Sequence, residues 1–480
     1  MKTRRPGRRR ARGRGMTRDV SGDLFLVGNG AGFSGDRIDA PIPVVRTLKA
    51  RGLPAAIFFE VLGERTVALA QLERRRDPER GYEPMLERLL RPILADCVAA
   101  GIRIIGNFGG ANPKGAARCI ARLALEQGLH GLRIGFVEGD DIQGTVPLDG
   151  LEIYEADAGI DTRKGALVAA NAYLDATPLV EALHQGADVV VTGRTGDPSL
   201  VVAPLIHHFD WDPDDWQRIA TGATAGHLLE CGAQVSGGVF FDPGYKDIPD
   251  PANIGFPIAE IGRDGSLLVT KAADTGGAVD LRSVKEQLLY EVHDPAAYVT
   301  PDVVLDMTGI ELEQEAPDKV RVLGMRGRPR PERLKVTASF EGGFLGEGEV
   351  SVAGPNALAR ARATAEVLRQ RVRQRGLIVR LRIDLIGVDS VHDSDDGALH
   401  RAYAGPEPHD IRIRLAAAGP DADDVDQAAR EVLALLCCGT AGTGGARWRT
   451  TQRIVTRSYL ADRALVQARA HCLTAPELAN

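Results

Sequence analysis

Ile102-Arg103-Ile104-Ile105-Gly106-Asn107-Phe108-Gly109-Gly110-Ala111-Asn112-Pro113-Lys114-Gly115 is the stretch that decides the fold class. A short apolar run stops at a glycine-rich loop, and a helix from about Lys114 to Gln127 follows. The same step recurs three times. Leu24–Val27 runs into Gly28-Asn29-Gly30-Ala31-Gly32-Phe33-Ser34-Gly35-Asp36-Arg37, and Val189–Val191 into Thr192-Gly193-Arg194-Thr195-Gly196-Asp197-Pro198-Ser199. Gln234-Val235 runs into Ser236-Gly237-Gly238. Open parallel sheets place their ligand at the carboxyl ends of the strands, and glycine lets backbone N–H groups approach an anion closely. The four loops therefore predict one small-molecule site.

Working outward, Ile42–Ala50 reads as a helix opened by Pro41 and Pro43, Ala55–Phe59 as a strand, and Tyr82–Ala100 as one amphipathic helix stopped by Gly101. Leu132–Val137 is a strand, Pro178–His184 a helix closed by Gly186, and Asp188–Val191 a buried strand. This alternation predicts helices on both faces of a largely parallel sheet. The last third differs. Lys335–Val352 is extended, and Gly342-Gly343 is expected to break it into a bend or hairpin. Leu358, Ala361, Ala365, Leu368 and Val372 share a helix face ending at Gly376. Val379, Leu381, Ile383 and Leu385 alternate as a strand, and Ile411–Leu415 does likewise. Val425, Ala429, Val432, Leu433 and Leu436 mark a helix capped near Asp421, and Ile454–Tyr459 a final strand. The order β-α-β-β-α-β is that of a ferredoxin-like unit.

The expected architecture is thus α/β, a largely parallel sheet flanked by helices over residues 22–320. A smaller α+β ferredoxin-like C-terminal domain follows over 321–465, then a tail over 466–480. A length of 480 residues suits more than one domain. Hydrophobic content of 44% and charge of 26% are those of a globular chain, and no run of eighteen apolar residues spans a membrane. Lys2, Arg4, Arg5, Arg8, Arg9, Arg10, Arg12 and Arg14 crowd the first residues; taking those eight charges from the net −6 leaves −14. Residues 1–21 read as a disordered basic tail with no secretory h-region, and Met16 as an alternative start. The acidic remainder argues against nucleic acid as a partner. The six cysteines show no C-x-x-C pair and no zinc pattern, which fits a reducing cytoplasm.

Gly30-x-Gly32-x-x-Gly35 matches a dinucleotide fingerprint on paper, with Glu60 as ribose acceptor. Pro41 and Pro43 would then fall inside the required helix, at about 3 kcal/mol each. The loop is better read as long, with the helix starting at the prolines and Ser34, Asp36 and Arg37 facing the site. The plainer reading is a tight loop holding a satisfied Asp–Arg pair. Asn107, Gly109, Gly110, Asn112 and Lys114 form the second loop, where a lysine at a helix N-terminus hints at a bound anion or is simply solvated. Arg194 suits bidentate carboxylate recognition, and Asp197 orients it, acts as a base, or caps a helix with Pro198 first in that helix. His227 and Glu230 lie three apart on one helix face and suit general acid–base work. Cys231 beside them is a thiolate nucleophile or a buried thiol. Lys271 with Thr275-Gly276-Gly277 is a further anion loop, and Glu60 and Glu64 share a helical face if a helix begins at Glu60. His207-His208-x-Asp210 suggests a metal only superficially, because adjacent histidines diverge.

Ala170-Asn171-Ala172-Tyr173-Leu174, Val191-Thr192-Gly193-Arg194 with Asp197-Pro198-Ser199-Leu200, and Gly226–Gly238 resemble the acyclic terpene utilisation family AtuA. So do Phe256-Pro257-Ile258-Ala259-Glu260, Lys271 with Thr275-Gly276-Gly277, Gln287-Leu288-Leu289-Tyr290-Glu291 and Thr300-Pro301-Asp302-Val303, over roughly residues 22–455. Phe108 stands where a smaller residue is common in the family's loop, and Gly196 where alanine is usual. The resemblance implies a place beside geranyl-CoA carboxylase-type pathways for citronellol and geraniol, and cleavage or hydration of a branched 3-hydroxyglutaryl-CoA. It adds Asn171 and Ser199 to the substrate-binding residues. It implies a CoA thioester as substrate, with no tightly bound cofactor and no metal, since the His-x-His pair of the familiar metal-dependent lyases is not found in this sequence. Long members carry a further ferredoxin-fold domain of about a hundred residues; here a separate small ferredoxin-fold protein is expected to supply it.

Two functions follow from the sequence. One is a lyase or hydratase acting on an acidic 3-hydroxyacyl-CoA, with Arg194, Asp197, His227, Glu230 and Cys231 as the catalytic set. The other is a non-catalytic subunit or scaffold of an acyl-CoA-processing complex. A cytoplasmic homo-oligomer is expected in either case.

Overall fold

The computed structural model describes residues 23–154 and 165–479, so the basic tail expected over 1–21 lies outside the described residues. The chain divides into two compact units, each discontinuous in sequence. The first takes the chain up to Asp141, then Ala172–Leu334 and the residues from Asp462; the second takes Ile142–Asn171 and Lys335–Ala461.

In the first unit, β1 (Leu24–Ala31), α1 (Pro41–Arg51), β2 (Ala55–Phe59), α2 (Glu64–Arg76), α3 (Leu86–Leu90), α4 (Leu94–Ala100), β3 (Arg103–Gly106), α5 (Pro113–Glu126) and β4 (Arg133–Glu138) come first. The chain then contributes β5 (Glu152–Ile153) and β6 (Leu167–Ala172) mainly to the second unit. It resumes with α6 (Thr177–His184), β7 (Val189–Val191), α7 (Ser199–Phe209), α8 (Trp216–Leu229), β8 (Pro257–Gly262), β9 (Leu267–Lys271), α9 (Leu281–Leu289), β10 (Tyr298–Val299), β11 (Val304–Asp306), β12 (Glu311–Ala316), β13 (Lys319–Leu323) and β14 (Arg326–Arg328). As expected, α1 begins at the prolines and not within the glycine run.

Ten strands form the main sheet in the order β12-β13-β9-β8-β1-β2-β3-β7-β4, closed by β19 (Arg469–Thr474). Only β1-β2-β3-β7-β4 run parallel; the other neighbours are antiparallel. The sheet is therefore mixed and not largely parallel. Its antiparallel edge is made by the tight β8–β9 and β12–β13 connections, which are too short for a parallel crossover. Residues 466–479, read from sequence as a tail, return to this sheet as β19 and α13 (Ala475–Ala479). The expected Tyr82–Ala100 helix is two short ones, α3 and α4, because Pro92 removes a helical N–H between them.

One face of the sheet buries Val44, Leu48, Leu89, Leu94, Ile120 and Leu123 from α1, α3, α4 and α5. The other buries Leu179, Leu183, Val201, Leu205, Ile219 and Leu228 from α6, α7 and α8. The chain leaving β3 thus crosses to the first face and the chain leaving the adjacent β7 to the second. Ligands of open α/β sheets bind where neighbouring parallel strands diverge in this way, at their carboxyl ends. No helix among the described residues is long and apolar enough to cross a membrane.

The second unit runs β15 (Arg333–Ala353), α10 (Ala357–Gln374), β16 (Arg380–Ile386), α11 (Ala398–Ala402), β17 (Asp410–Gly419), α12 (Ala422–Cys438) and β18 (Thr443–Asp462). Its sheet order is β16-β17-β15-β18-β5, with β6 also paired to β15. Ala361, Leu368, Val432 and Leu435 of α10 and α12 pack on Val350, Ile383, Ile411 and Ile413. Asp421 caps α12 by accepting from the Asp424 N–H at 2.9 Å, as its position predicts. Gly342-Gly343 does not break β15. Gly343 takes a left-handed φ of 75° where the strand begins pairing with β17, from Phe344 opposite Gly419 onward.

Candidate functional site

Arg194 follows β7 and is the largest fully buried side chain among the described residues. Gly193 makes this turn feasible: a Cβ there would lie 2.5 Å from the Asp140 carboxylate, which accepts the Arg194 N–H at 2.8 Å. The guanidinium lies over the Tyr173 ring, 4.2 Å from its centroid, and Tyr173 donates its hydroxyl to Glu64 at 2.5 Å. It is ion-paired with Asp197, and Glu60 stands 3.9 Å from the other terminal nitrogen. Its Nε is buried without a hydrogen-bond partner among the described residues.

Asp197 is not the helix cap that its position suggests. The helix starts one residue later, at Ser199, and no side chain caps it. The carboxylate is used on Arg194 instead.

Glu60 ends β2 and is fixed from two sides. The Asn107 amide donates to it at 2.8 Å and the Leu62 N–H at 3.0 Å, while the Asn107 carbonyl accepts from the Val61 N–H at 2.7 Å. Burial, with the charge of Asp197 added, pushes the Glu60 carboxyl up to about 8, against the opposing pull of Arg194 and Asn107.

His227 and Glu230 meet at the end of α8. His227 Nδ1 lies 3.1 Å from Glu230 Oε1, and Nε2 lies 3.2 Å from the Leu288 carbonyl. A carbonyl only accepts, so Nε2 carries a proton. One further proton is then shared between Nδ1 and the carboxyl. Burial pushes Glu230 up to about 7 against the pull of His227, and the hydrogen bond and charge of Glu230 raise His227 despite its own burial. Glu230 Oε2 is buried and unpartnered among the described residues. Asn29, at the end of β1, reaches the Glu230 backbone carbonyl at 3.5 Å.

Asp197 joins the two groups electrostatically, since its charge raises both Glu60 and Glu230. With 34% of its side chain exposed, against 2% for Arg194 and 1% for His227, it marks where solvent enters. Cys231 is held as a thiol: burial and then the Glu230 charge push it up, and Gln287 only partly offsets them.

The structure brings Arg194, Asp197, Asn107, His227, Glu230 and Cys231 together and uses the other sequence candidates differently. Gly30 would drive a Cβ into the Phe59 ring, and Gly32 into the Cys231–Gly232 backbone at 2.6 Å, so both are close-packing positions. Asp36 accepts from the Gly32 and Arg37 N–H groups, and Arg37 binds the Ile254 carbonyl and Asp39. Ser34 hydrogen-bonds Glu83. Gly109 donates its N–H to the Thr192 carbonyl at 3.0 Å, and Gly110 sits at φ 52°. Asn112 caps α5 and donates to the Pro78 and Arg80 carbonyls, and Lys114 is exposed on its first turn. Ser199 donates to Asp302. Lys271 donates to the Thr275 carbonyl at 2.7 Å and pairs with Asp318, and Gly276 donates to the Asn253 carbonyl. Asn171 is buried on β6, in the second unit. His207 turns to His184 and His208 to Phe25, so they diverge as expected.

Sequence reasoning weighed Glu60 as a ribose acceptor or on a helix face shared with Glu64, and gave Asn29 no role. It quoted Tyr173 without a role. Glu60 and Glu64 do not share a helix, since α2 begins at Glu64. The only sequence signal for Glu60 is a carboxylate at the carboxyl end of a buried strand.

The family model described as acyclic terpene utilisation family protein AtuA matches residues 25–472. The chain belongs to the AtuA family. No curated protein matches it. Both halves of the site, Glu60 with Arg194 and His227 with Glu230, lie within the AtuA match.

Proposed function

We propose that this AtuA protein is an acid–base enzyme acting on an acidic 3-hydroxyacyl thioester, a coenzyme A ester, as a lyase or hydratase. The observation that carries this reading is the buried His227–Glu230 pair holding one shared proton. Proton transfer is most efficient when the group titrates near the working pH. Glu230 near 7 and Glu60 near 8 give the pocket a base and a protonated carboxyl at neutral pH.

In cleavage, the His227–Glu230 pair takes the proton of the C3 hydroxyl and the C2–C3 bond breaks. Its electron pair moves to the thioester oxygen, and Glu60 returns a proton to C2. In dehydration, the pair takes a C2 proton, and Glu60 protonates the departing C3 hydroxyl as water. With Glu60 protonated, the Arg194–Asp197–Glu60 group is electrically neutral, and the unpartnered Arg194 Nε suits an acyl oxygen.

The second unit is read as ferredoxin-like, supported by the succession β15, α10, β16, β17, α12, β18 and the sheet order β16-β17-β15-β18. The test of function is incubation with 3-hydroxyacyl-CoA esters, with and without a terminal carboxylate, and mass analysis of the products. A carbonyl compound with a shortened acyl-CoA marks a lyase, and an enoyl-CoA a hydratase. If none of the esters yields either product, the reading fails.

A further inference from the structure

Three tyrosines stand around the pocket, and two are committed. Tyr173 donates to Glu64, and the Tyr290 hydroxyl is hydrogen-bonded to Gln234. Tyr298, on the two-residue strand β10, differs. Its ring lies 5.0 Å from the His227 ring and is only partly buried. Among the described residues its hydroxyl makes no hydrogen bond. Burial, with the charges of Glu230, Asp197 and Glu291 added, holds the phenol protonated.

We propose that Tyr298 is a catalytic residue that donates its hydroxyl hydrogen bond to the enolate oxygen formed from the acyl thioester. This rests on the acid–base reading above. Cleavage and dehydration both place an electron pair on that oxygen, from the C2–C3 bond in one case and the C2–H bond in the other. Tyr298 keeps its O–H bond throughout and lends only a hydrogen bond, so the assignment holds for either reaction. Asp197 and the ionised Glu230 would repel an enolate on their side of the site, and Arg194, already paired with Asp197, offers only its Nε. A neutral phenol beside the base is a donor that stabilises it without changing the proton count.

Tyr298→Phe keeps the ring against His227 and removes only the donor. In the full chain, kcat for the 3-hydroxyacyl-CoA turned over is expected to fall about 100-fold, with KM within about threefold and the pH profile unmoved. Tyr290→Phe leaves turnover unchanged. A second measurement needs no turnover. Calorimetric titration with 3-nitropropionate, whose planar nitronate resembles an enolate, should show at least about tenfold weaker binding to Tyr298→Phe than to wild type. Unchanged kcat in Tyr298→Phe overturns the inference. So does equal nitronate affinity, or none in the wild type. Wild-type protein that binds the nitronate through Tyr298 but turns over no ester would sink the proposed reaction and leave the donor standing.

Discussion

Because His227 Nε2 is committed to the Leu288 carbonyl, only one proton remains for the 3.1 Å gap between Nδ1 and Glu230 Oε1. Removing either partner leaves the other without its proton relay. His227→Gln and Glu230→Gln are each expected to lower kcat by about 100- to 10,000-fold. Both should also erase the limb of the pH–rate profile near 7, where Glu230 titrates. Steady-state rates between pH 5 and 9 check this; a profile that keeps the limb in both variants rules the pair out as the base.

Glu60 makes stability depend on pH in a defined direction. Its carboxyl titrates near 4.5 when unfolded and near 8 when folded. The folded state therefore holds the proton longer, and stability is lost as pH rises between these values. Glu60→Gln keeps the Asn107 hydrogen bond but cannot ionise. Its melting temperature should exceed that of wild type by a margin that grows from about pH 4.5 to about pH 8 and then levels. Thermal melts across that range decide it, and a margin independent of pH would show that Glu60 titrates normally.

Arg194 holds apart two carboxyl groups that would otherwise face each other. Arg194→Ala should destabilise the fold by about 3–5 kcal/mol, the usual cost of leaving a buried ion pair half made. Arg194→Lys retains the charge but loses the planar stack on Tyr173, so it should fall between the two. Denaturant unfolding measures both, and a wild-type midpoint for Arg194→Ala would contradict the buried pairing.

A Cβ at Gly109 would lie 2.7 Å from the Thr192 carbonyl and 2.7 Å from Pro113 Cα, both backbone atoms that cannot swing away. Gly109→Ala should therefore push the loops after β3 and β7 apart, costing about 1–3 kcal/mol and most of the turnover. Retained activity at wild-type stability would mean that these loops need not touch.

Cys231→Ala is expected to keep at least about half of wild-type turnover, because a thiol held protonated is a poor nucleophile. Turnover assay beside iodoacetamide treatment tests this. Loss of all activity in the alanine variant would return Cys231 to the reacting groups.

Local spacing made much of the site legible. His227 and Glu230 are three residues apart, as are Arg194 and Asp197, and each pair meets as its interval dictates. Glu60 reaches Asn107 and Arg194 only through the sheet order β2-β3-β7, which no local pattern encodes. Tyr298 sits on a strand too short to show periodicity. The Asn112 amide has the same composition whether it binds a ligand or caps a helix, so only its partners at Gly115, Pro78 and Arg80 distinguish the two. The strands and helices expected between Leu24 and Val191 recur with small shifts at their ends, save that Tyr82–Ala100 is two helices. The antiparallel margins escaped notice because strand direction leaves no mark on hydrophobic alternation.

The outer edge of β4 is paired by β19 alone on that side, residues supplied long after β4 in the chain. During translation the ribosome therefore releases a half-built sheet whose backbone donors and acceptors on that margin stay bare until residues 469–474 emerge. Nascent chains therefore carry this margin unpaired through the synthesis of the entire intervening segment, and an open strand edge of that kind favours wrong pairings.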